Sequence, residues 1–271
     1  SAREEVSAAL VKISSQVLFY VDESWWRAKN AFEQDEARTS LEQLASEFEQ
    51  NIYPTLTSTF GSEWKPGIDQ DSRITALFHP MQEQAGGYTN YGDEYPKVQY
   101  PKSNEREMVY LNTGFLASPM LKSFLAHELV HVITFNQKVK LRNVSEDTWL
   151  NEARAEYAST LLGYDNAFEG SNGDRRMRSF IKTPNDSLVE WNNEAADYGA
   201  VNLFIQYVVD QYGLKILQDS LQSSKAGIAS ITEALAKNSF TTTFEQVFTN
   251  WTVAVLVNNC ALGERYCYKN K

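Results

Sequence analysis

The chain has 271 residues and a formal net charge of −10, from 35 acidic and 25 basic residues. A surface of this charge repels nucleic-acid phosphates and anionic membranes, so we expect neither as a partner. Hydrophobic residues make up 42% of the chain, enough for a sizeable core. No apolar run approaches the ~20 residues of a membrane-spanning helix.

The N-terminal half combines helical and strand patterns. Apolar residues at helical spacing predict a first helix over residues 3–30. A second helix is predicted from about residue 35 to 52, where Pro54 would end it. Residues 73–78 and 108–112 are rich in strand formers and predict two strands, which gives this half an α+β character.

The C-terminal half has mostly helical patterns. Helices are predicted at about 193–212, which Gly213 would end, and at 228–237. Thr242 and Glu245 have the spacing of a capping box, which predicts the start of another helix. An α+β half is therefore followed by a helical half, with a boundary near residue 140.

The two cysteines, Cys260 and Cys267, both lie near the C-terminus. They could be two unpaired thiols, but no other cysteine competes for either, and no histidine lies near enough in sequence to complete a zinc site. We therefore favour a small disulfide loop, which implies an oxidising compartment. This interpretation predicts a protein that is secreted or exposed at the cell surface.

A His-Glu-x-x-His motif contains two of the three histidines in the chain. Ser118 and Pro119 precede it and predict the start of a helix. On that helix His127 and His131 are four residues apart and share one face, so they can bind one metal ion together. Glu128 lies beside them, where a general base for a metal-bound water is expected.

A catalytic zinc site needs a third protein ligand, since it usually leaves one position to water. The best candidate is Glu152, about 20 residues after His131 on a predicted helix that Asp147 or Ser145 can cap and that ends at Gly163. Glu156 follows one turn later and could accept a hydrogen bond from the far nitrogen of a ligand histidine. The alternative is a solvated acidic face, with Arg154 balancing the charge of the two carboxylates.

This arrangement resembles the gluzincins, the thermolysin-like clan of zinc metallopeptidases, in which His-Glu-x-x-His is followed by Asn-Glu-x-x-x-Glu. A finer likeness is to the hyicolysin family of secreted bacterial metallopeptidases. The segments that carry this likeness lie at residues 86–88, 103–112, 126–131, 149–156, 197–199 and 244–251.

The resemblance implies a role for each of five residues. His127, His131 and Glu152 would bind one zinc ion, and Glu128 would activate the zinc-bound water and return its proton to the leaving amine. Related gluzincins use a Tyr or His on a later helix to stabilise the oxyanion. Tyr198 is our choice for this donor; the alternative is an ordinary core or surface tyrosine, since the chain has 14.

The resemblance also implies a fold: one catalytic domain, residues 1–271, of the zincin type with two lobes. The N-terminal lobe, about 1–140, would hold a small mixed β-sheet and the motif helix. The C-terminal lobe, about 141–271, would be mainly α-helical. Residues 108–112 would form an edge strand that receives a peptide, and residues 86–100 a flap over the cleft.

The expected activity is that of a monomeric, secreted bacterial zinc endopeptidase acting on peptides or proteins. The chain lacks the Gly-x-Met-Glu-Asn run with which related aminopeptidases hold a free N-terminus. An aminopeptidase is therefore the second hypothesis, and a non-catalytic zinc-containing surface or adhesion domain the third. Asp93 and Glu94 could bind calcium, but without an Asp-x-Asp-x-Asp-Gly loop we expect a solvated turn there.

Overall fold

The computed structural model describes residues 5–165 and 168–269. Contacts along the chain divide it into two compact units, one that ends at Ile133 and one that begins at Thr134. The first unit contains the β-sheet and the second is helical, so the expected α+β class is confirmed at this level. None of the helices in the described ranges is both long and apolar enough to cross a membrane.

In the described part of the chain the sheet is mixed and has five strands in the order β1-β2-β3-β5-β4. β2 and β3 pair in parallel, as do β3 and β5, while β1 and β4 lie antiparallel at the two edges. The central strands are almost entirely buried, so the core of this unit surrounds them. The strands are β1 Ala8–Ile13, β2 Val17–Asp22, β3 Ile74–His79, β4 Gly87–Tyr88 and β5 Met108–Asn112.

The predicted helix over residues 3–30 is wrong. Within its described part the chain forms β1, a turn, β2 and then a short helix, α1, Glu23–Arg27. Val17, Phe19 and Val21 are fully buried, and Leu18 between them is nearly so. A strand covered on both faces has a continuous apolar run, and such a run also satisfies helical spacing. Periodicity alone therefore could not distinguish the two structures.

The other helices of the first unit agree with the sequence more closely. Pro54 does not end a helix: it lies in the first turn of α3, which follows directly on the π-helical turn at Phe48–Ile52. The motif helix begins at Leu121, slightly after Ser118, whose hydroxyl accepts the N–H of Met120 at 3.2 Å. These helices are α2 Ala31–Glu47, α3 Tyr53–Phe60 and α4 Leu121–Thr134, with π-helical turns at Phe48–Ile52 and, after α4, at Phe135–Lys140.

Six helices account for most of the second unit in the described residues. They are α5 Thr148–Leu161, α6 Asn172–Lys182, α7 Ala195–Tyr212, α8 Lys215–Leu221, α9 Gly227–Lys237 and α10 Phe244–Val257. The capping box of α10 consists of Thr243 and Gln246, one residue later than the predicted pair Thr242 and Glu245. The hydroxyl of Thr243 accepts the N–H of Gln246, which fixes this start.

The C-terminal segment is closed by a disulfide bond between Cys260 and Cys267, as expected from the sequence. Two side chains of α7 form hydrogen bonds with the loop that the two cysteines close. The hydroxyl of Tyr207 donates to the carbonyl of Arg265 at 2.8 Å, and Gln211 donates to the carbonyls of Glu264 and Cys267, both at 3.0 Å. The covalent bond and these hydrogen bonds fasten the loop to α7.

Candidate metal and catalytic site

Three predicted ligands come together in the structure. His127 and His131 project from α4 and Glu152 from α5, and one ligand atom of each lies within 4.8 Å of the other two. Across the described residues no other set of three or more His, Cys, Asp or Glu side chains has such spacing. The sequence thus identified a cluster that could hold a metal ion.

The donor atoms suit a tetrahedral metal ion such as zinc. The Nε2 atoms of His127 and His131 are 3.1 Å apart. Two nitrogens bound at about 2.0 Å in a tetrahedral zinc site are separated by roughly 3.3 Å, so little adjustment is needed. Two imidazoles and one carboxylate are also a usual donor set for catalytic zinc, which leaves a fourth position for water or substrate.

Glu128 lies on the same helix as the two histidines, and only 5% of it is exposed. Its carboxylate accepts a hydrogen bond from the hydroxyl of Thr89, with 2.9 Å between Oγ1 and Oε2. This contact comes from the segment that follows β4 and was not predicted from the sequence. The carboxylate therefore belongs to a folded environment and not to an exposed helical surface.

The helix that carries Glu152 is anchored through Arg154, whose side chain is fully buried. Its guanidinium donates to the carboxylate of Glu146 at 2.5 Å and to the hydroxyl of Ser220 at 2.9 Å. Arg154 therefore does not balance Glu152 and Glu156 at a solvated surface, as the alternative interpretation of the sequence required. Instead, it fixes α5 against the rest of the helical unit.

Glu156 is the centre of a buried polar cluster and is 1% exposed. Its carboxylate accepts from Nε of Arg176 at 2.8 Å and from Nη2 of the same residue at 2.5 Å. Asn172 and Asn202 donate to it at 3.0 and 3.3 Å. The suggested bond between Glu156 and a ligand histidine stays a prediction.

Arg176 connects this cluster to the two other functional candidates of the second unit. Burial by itself would lower the pKa of its guanidinium, but the negative charge of Glu156 raises that pKa above its usual value. Glu152 and Tyr198 act on it in the same direction. The guanidinium carbon lies 4.5 Å from the ring centre of Tyr198, within the range of a cation–π contact.

Tyr198 lies in the first turn of α7. Its hydroxyl donates to the side-chain oxygen of Asn193 at 3.0 Å, and the edge of Trp191 packs against its ring at 4.9 Å between centroids. Together with Arg176 these contacts fix the orientation of the phenol ring. Its role as an oxyanion donor stays a prediction.

The start of the Gly- and Tyr-rich segment at 86–100 pairs with the sheet through β4, and its role as a flap over the cleft stays a prediction. β4 occupies the edge beside β5, so the prediction of β5 as an edge strand is wrong. Asp93 is fully buried instead of lying in a solvated turn. Its carboxylate accepts from the backbone and side chain of Asn104, at 2.8 and 3.0 Å, and from the hydroxyl of Tyr110 at 2.7 Å.

Two residues of the site, Thr89 and Arg176, were missed by the sequence analysis. For Arg176 a signal existed, because a buried Glu156 beside Glu152 requires a cation, and arginines are concentrated in residues 175–178. For Thr89 the signal was incomplete. The adjacent pair Gly86-Gly87 indicated that the backbone packs closely against another part of the chain, but not that this part is Glu128.

Neither a known protein family nor a curated protein matches this chain in sequence. The site is therefore interpreted from its own residues.

Proposed function

We propose that the protein is a zinc-dependent endopeptidase of the gluzincin type, with the two-lobed zincin fold and a likeness to the hyicolysin family. The observation that carries this proposal is the convergence of His127, His131 and Glu152, with Glu128 buried beside them. A zinc ion at this position supplies Lewis-acid polarisation of a peptide carbonyl and of water.

The chain's own residues perform the proton transfers in this proposal. Glu128 removes a proton from the attacking water and later delivers it to the leaving amine, which is general acid–base catalysis by one carboxylate. Tyr198 redirects its single hydroxyl proton from Asn193 to the oxygen that becomes negatively charged. Arg176 keeps the Tyr198 ring in place through its cation–π contact. Secretion from a bacterial cell is part of the same proposal: the disulfide bond supports an oxidising compartment, and the bacterial origin rests on the likeness to the hyicolysin family.

The test compares wild type with Glu128→Gln, Glu152→Ala and Tyr198→Phe. Glu128→Gln should retain zinc but lose nearly all turnover, because an amide cannot accept the proton. Glu152→Ala should lose zinc affinity, and Tyr198→Phe should keep zinc and turn over about 10²–10³-fold more slowly. Metal analysis by mass spectrometry and hydrolysis of a peptide library by zinc-loaded protein measure these effects.

The position of the cuts distinguishes the proposal from its alternatives. Internal cuts in peptides with blocked termini support an endopeptidase, whereas cleavage restricted to free N-termini would identify an aminopeptidase. Zinc-loaded wild type that cuts no peptide in the library would instead indicate a non-catalytic binding domain. Turnover of Glu128→Gln at the wild-type rate would exclude the proposed mechanism.

A further inference from the structure

Thr89 makes a direct contact with the acid–base residue of the proposed reaction. Its hydroxyl lies 2.9 Å from Oε2 of Glu128 and 3.3 Å from the backbone carbonyl of the same residue, so the carboxylate is the closer acceptor of its single proton. We propose that Thr89 is a positioning residue that fixes the orientation of the Glu128 carboxylate. This inference rests on the proposed function of Glu128.

The chain just before Thr89 is held by the sheet. Gly87 and Tyr88 pair with Leu111 and Tyr110 in β5. The rings of Tyr88 and Tyr110 stack almost in parallel, with centroids 4.3 Å apart and planes inclined by 7°. Backbone pairing and ring stacking together fix the position of Thr89 along the edge of the sheet.

The chain just after Thr89 is held by side-chain hydrogen bonds. The side chain of Asn90 accepts the N–H of Gly92 at 3.1 Å, which closes a turn. Asp93 is then fixed by Asn104 and Tyr110. Because both flanks of Thr89 are tied to the same structure, its hydroxyl has a defined position relative to Glu128.

Gly87 makes this approach to Glu128 sterically feasible. A methyl group at Gly87 would lie 2.6 Å from the carbonyl oxygen of Tyr110 and 3.2 Å from Cγ of Glu128. The first distance is too short for a real Cβ contact with backbone, so any larger residue would displace the segment. Because Gly87 has no side chain, the segment can lie close enough to α4 for Thr89 to bond to Glu128.

A fixed carboxylate is an advantage for a general base. The terminal torsion of a glutamate side chain is broad, so an unrestrained carboxylate samples many orientations. Proton transfer requires the accepting oxygen to lie about 2.6–3.2 Å from the atom that carries the proton. A hydroxyl bonded to Oε2 restricts rotation of the carboxylate and so limits the directions from which it can accept the proton of the water.

The experiment compares Thr89→Val, which keeps the shape but removes the hydroxyl, with Thr89→Ser, which keeps the hydroxyl. In Thr89→Val we expect kcat to fall about 10- to 100-fold, since hydrogen bonds to charged groups are among the stronger ones, while KM and zinc content stay unchanged. Thr89→Ser should restore kcat. Thr57→Val is the matched control, because the Thr57 hydroxyl bonds to a helical carbonyl within α3.

A second readout does not depend on activity. A crystal structure of metal-free Thr89→Val should show the Glu128 carboxylate rotated away from its wild-type orientation. If Thr89→Val does not fold, Thr89→Ala serves as the second variant without a hydroxyl, with folding checked by thermal denaturation.

The outcomes separate this inference from the proposed function. Wild-type kcat in Thr89→Val, an equal loss in Thr89→Ser or Thr57→Val, or an unchanged Glu128 orientation would each overturn the positioning role while leaving the peptidase activity intact. Failure of zinc-loaded wild type to cut any peptide would overturn the proposed function, and the inference with it.

Discussion

Glu107 illustrates how burial, as the largest cause, raises the pKa of one carboxyl group in this protein. Its side chain is 3% exposed, and burial raises its pKa from 4.5 to about 7, although its carboxylate accepts the N–H of Ile68 at 3.0 Å. Between these two pKa values the folded protein binds more protons than the unfolded chain. The contribution of Glu107 to stability therefore falls as the pH rises from about 4.5 to 7.

Replacement of Glu107 by glutamine should remove this pH dependence, because the amide can still accept the N–H of Ile68 and carries no charge. We expect Glu107→Gln to raise the free energy of unfolding at pH 8 by about 1–3 kcal/mol and to change it little at pH 4.5. Urea denaturation at both pH values measures the difference. Glu36→Gln, at an exposed position, is the control, and an equal effect of Glu107→Gln at both pH values would contradict the argument.

The residues of the site differ in how far the sequence alone could predict them. His127, His131 and Glu152 could be predicted because their spacing within two helices is itself the signal. Thr89 could not, because its partner Glu128 lies 39 residues away in the sequence, whereas Arg176 was missed although the charge of Glu156 called for a cation. Local periodicity contains no information on contacts that depend on tertiary structure.

Among the elements, the contact between α6 and α7 depends on one small residue. A methyl group at Gly199 would lie 2.8 Å from the backbone nitrogen of Phe180 and 3.0 Å from the carbonyl oxygen of Arg176. Gly199 therefore allows α7, which carries Tyr198, to pack directly against the backbone of α6. Both contact atoms belong to the backbone, so neither can move aside without shifting a helix.

Gly199→Ala should consequently destabilise the protein by about 1–3 kcal/mol, as expected for overpacking. In an open helix the same substitution would stabilise by up to about 1 kcal/mol, because alanine has the higher helix propensity. The sign of the change in a thermal or urea denaturation experiment therefore decides between these two effects. A stabilised variant would mean that the two helices are not in contact at this position.

The strands show which elements the sequence could predict. β3 and β5 were predicted within about a residue, since each is a short run of strand formers between clear turn signals. β1 and β2 were mistaken for a helix, because the core covers β2 on both faces. α6 was not predicted at all: it is rich in arginine, and its buried residues are few.

For the whole molecule, the C-terminal disulfide adds a restraint that the core does not supply. Cys260 and Cys267 are seven positions apart, so their bond closes a small loop. By loop-closure entropy such a bond stabilises by about 2 kcal/mol. The double variant Cys260→Ser/Cys267→Ser should lose this amount and unfold at a lower temperature.

Calorimetry with and without a reductant tests the origin of that loss. The reductant should lower the unfolding temperature of wild type to that of the double variant and leave the double variant unchanged. If the reductant destabilised both proteins equally, the disulfide would not be the cause.

The hydrogen bond between Thr89 and Glu128 also has a consequence for the time at which activity arises during folding. α4 forms from neighbouring residues, so the histidines and Glu128 can be arranged on a helix early. Contacts between residues far apart in sequence are generally made later, and the bond from Thr89 spans 39 residues and needs β4 to be paired with β5. A nascent or partly unfolded chain would therefore hold its proposed base in random orientations. A peptidase of this design would gain full activity only with the native sheet, and incompletely folded copies would pose little danger to their neighbours.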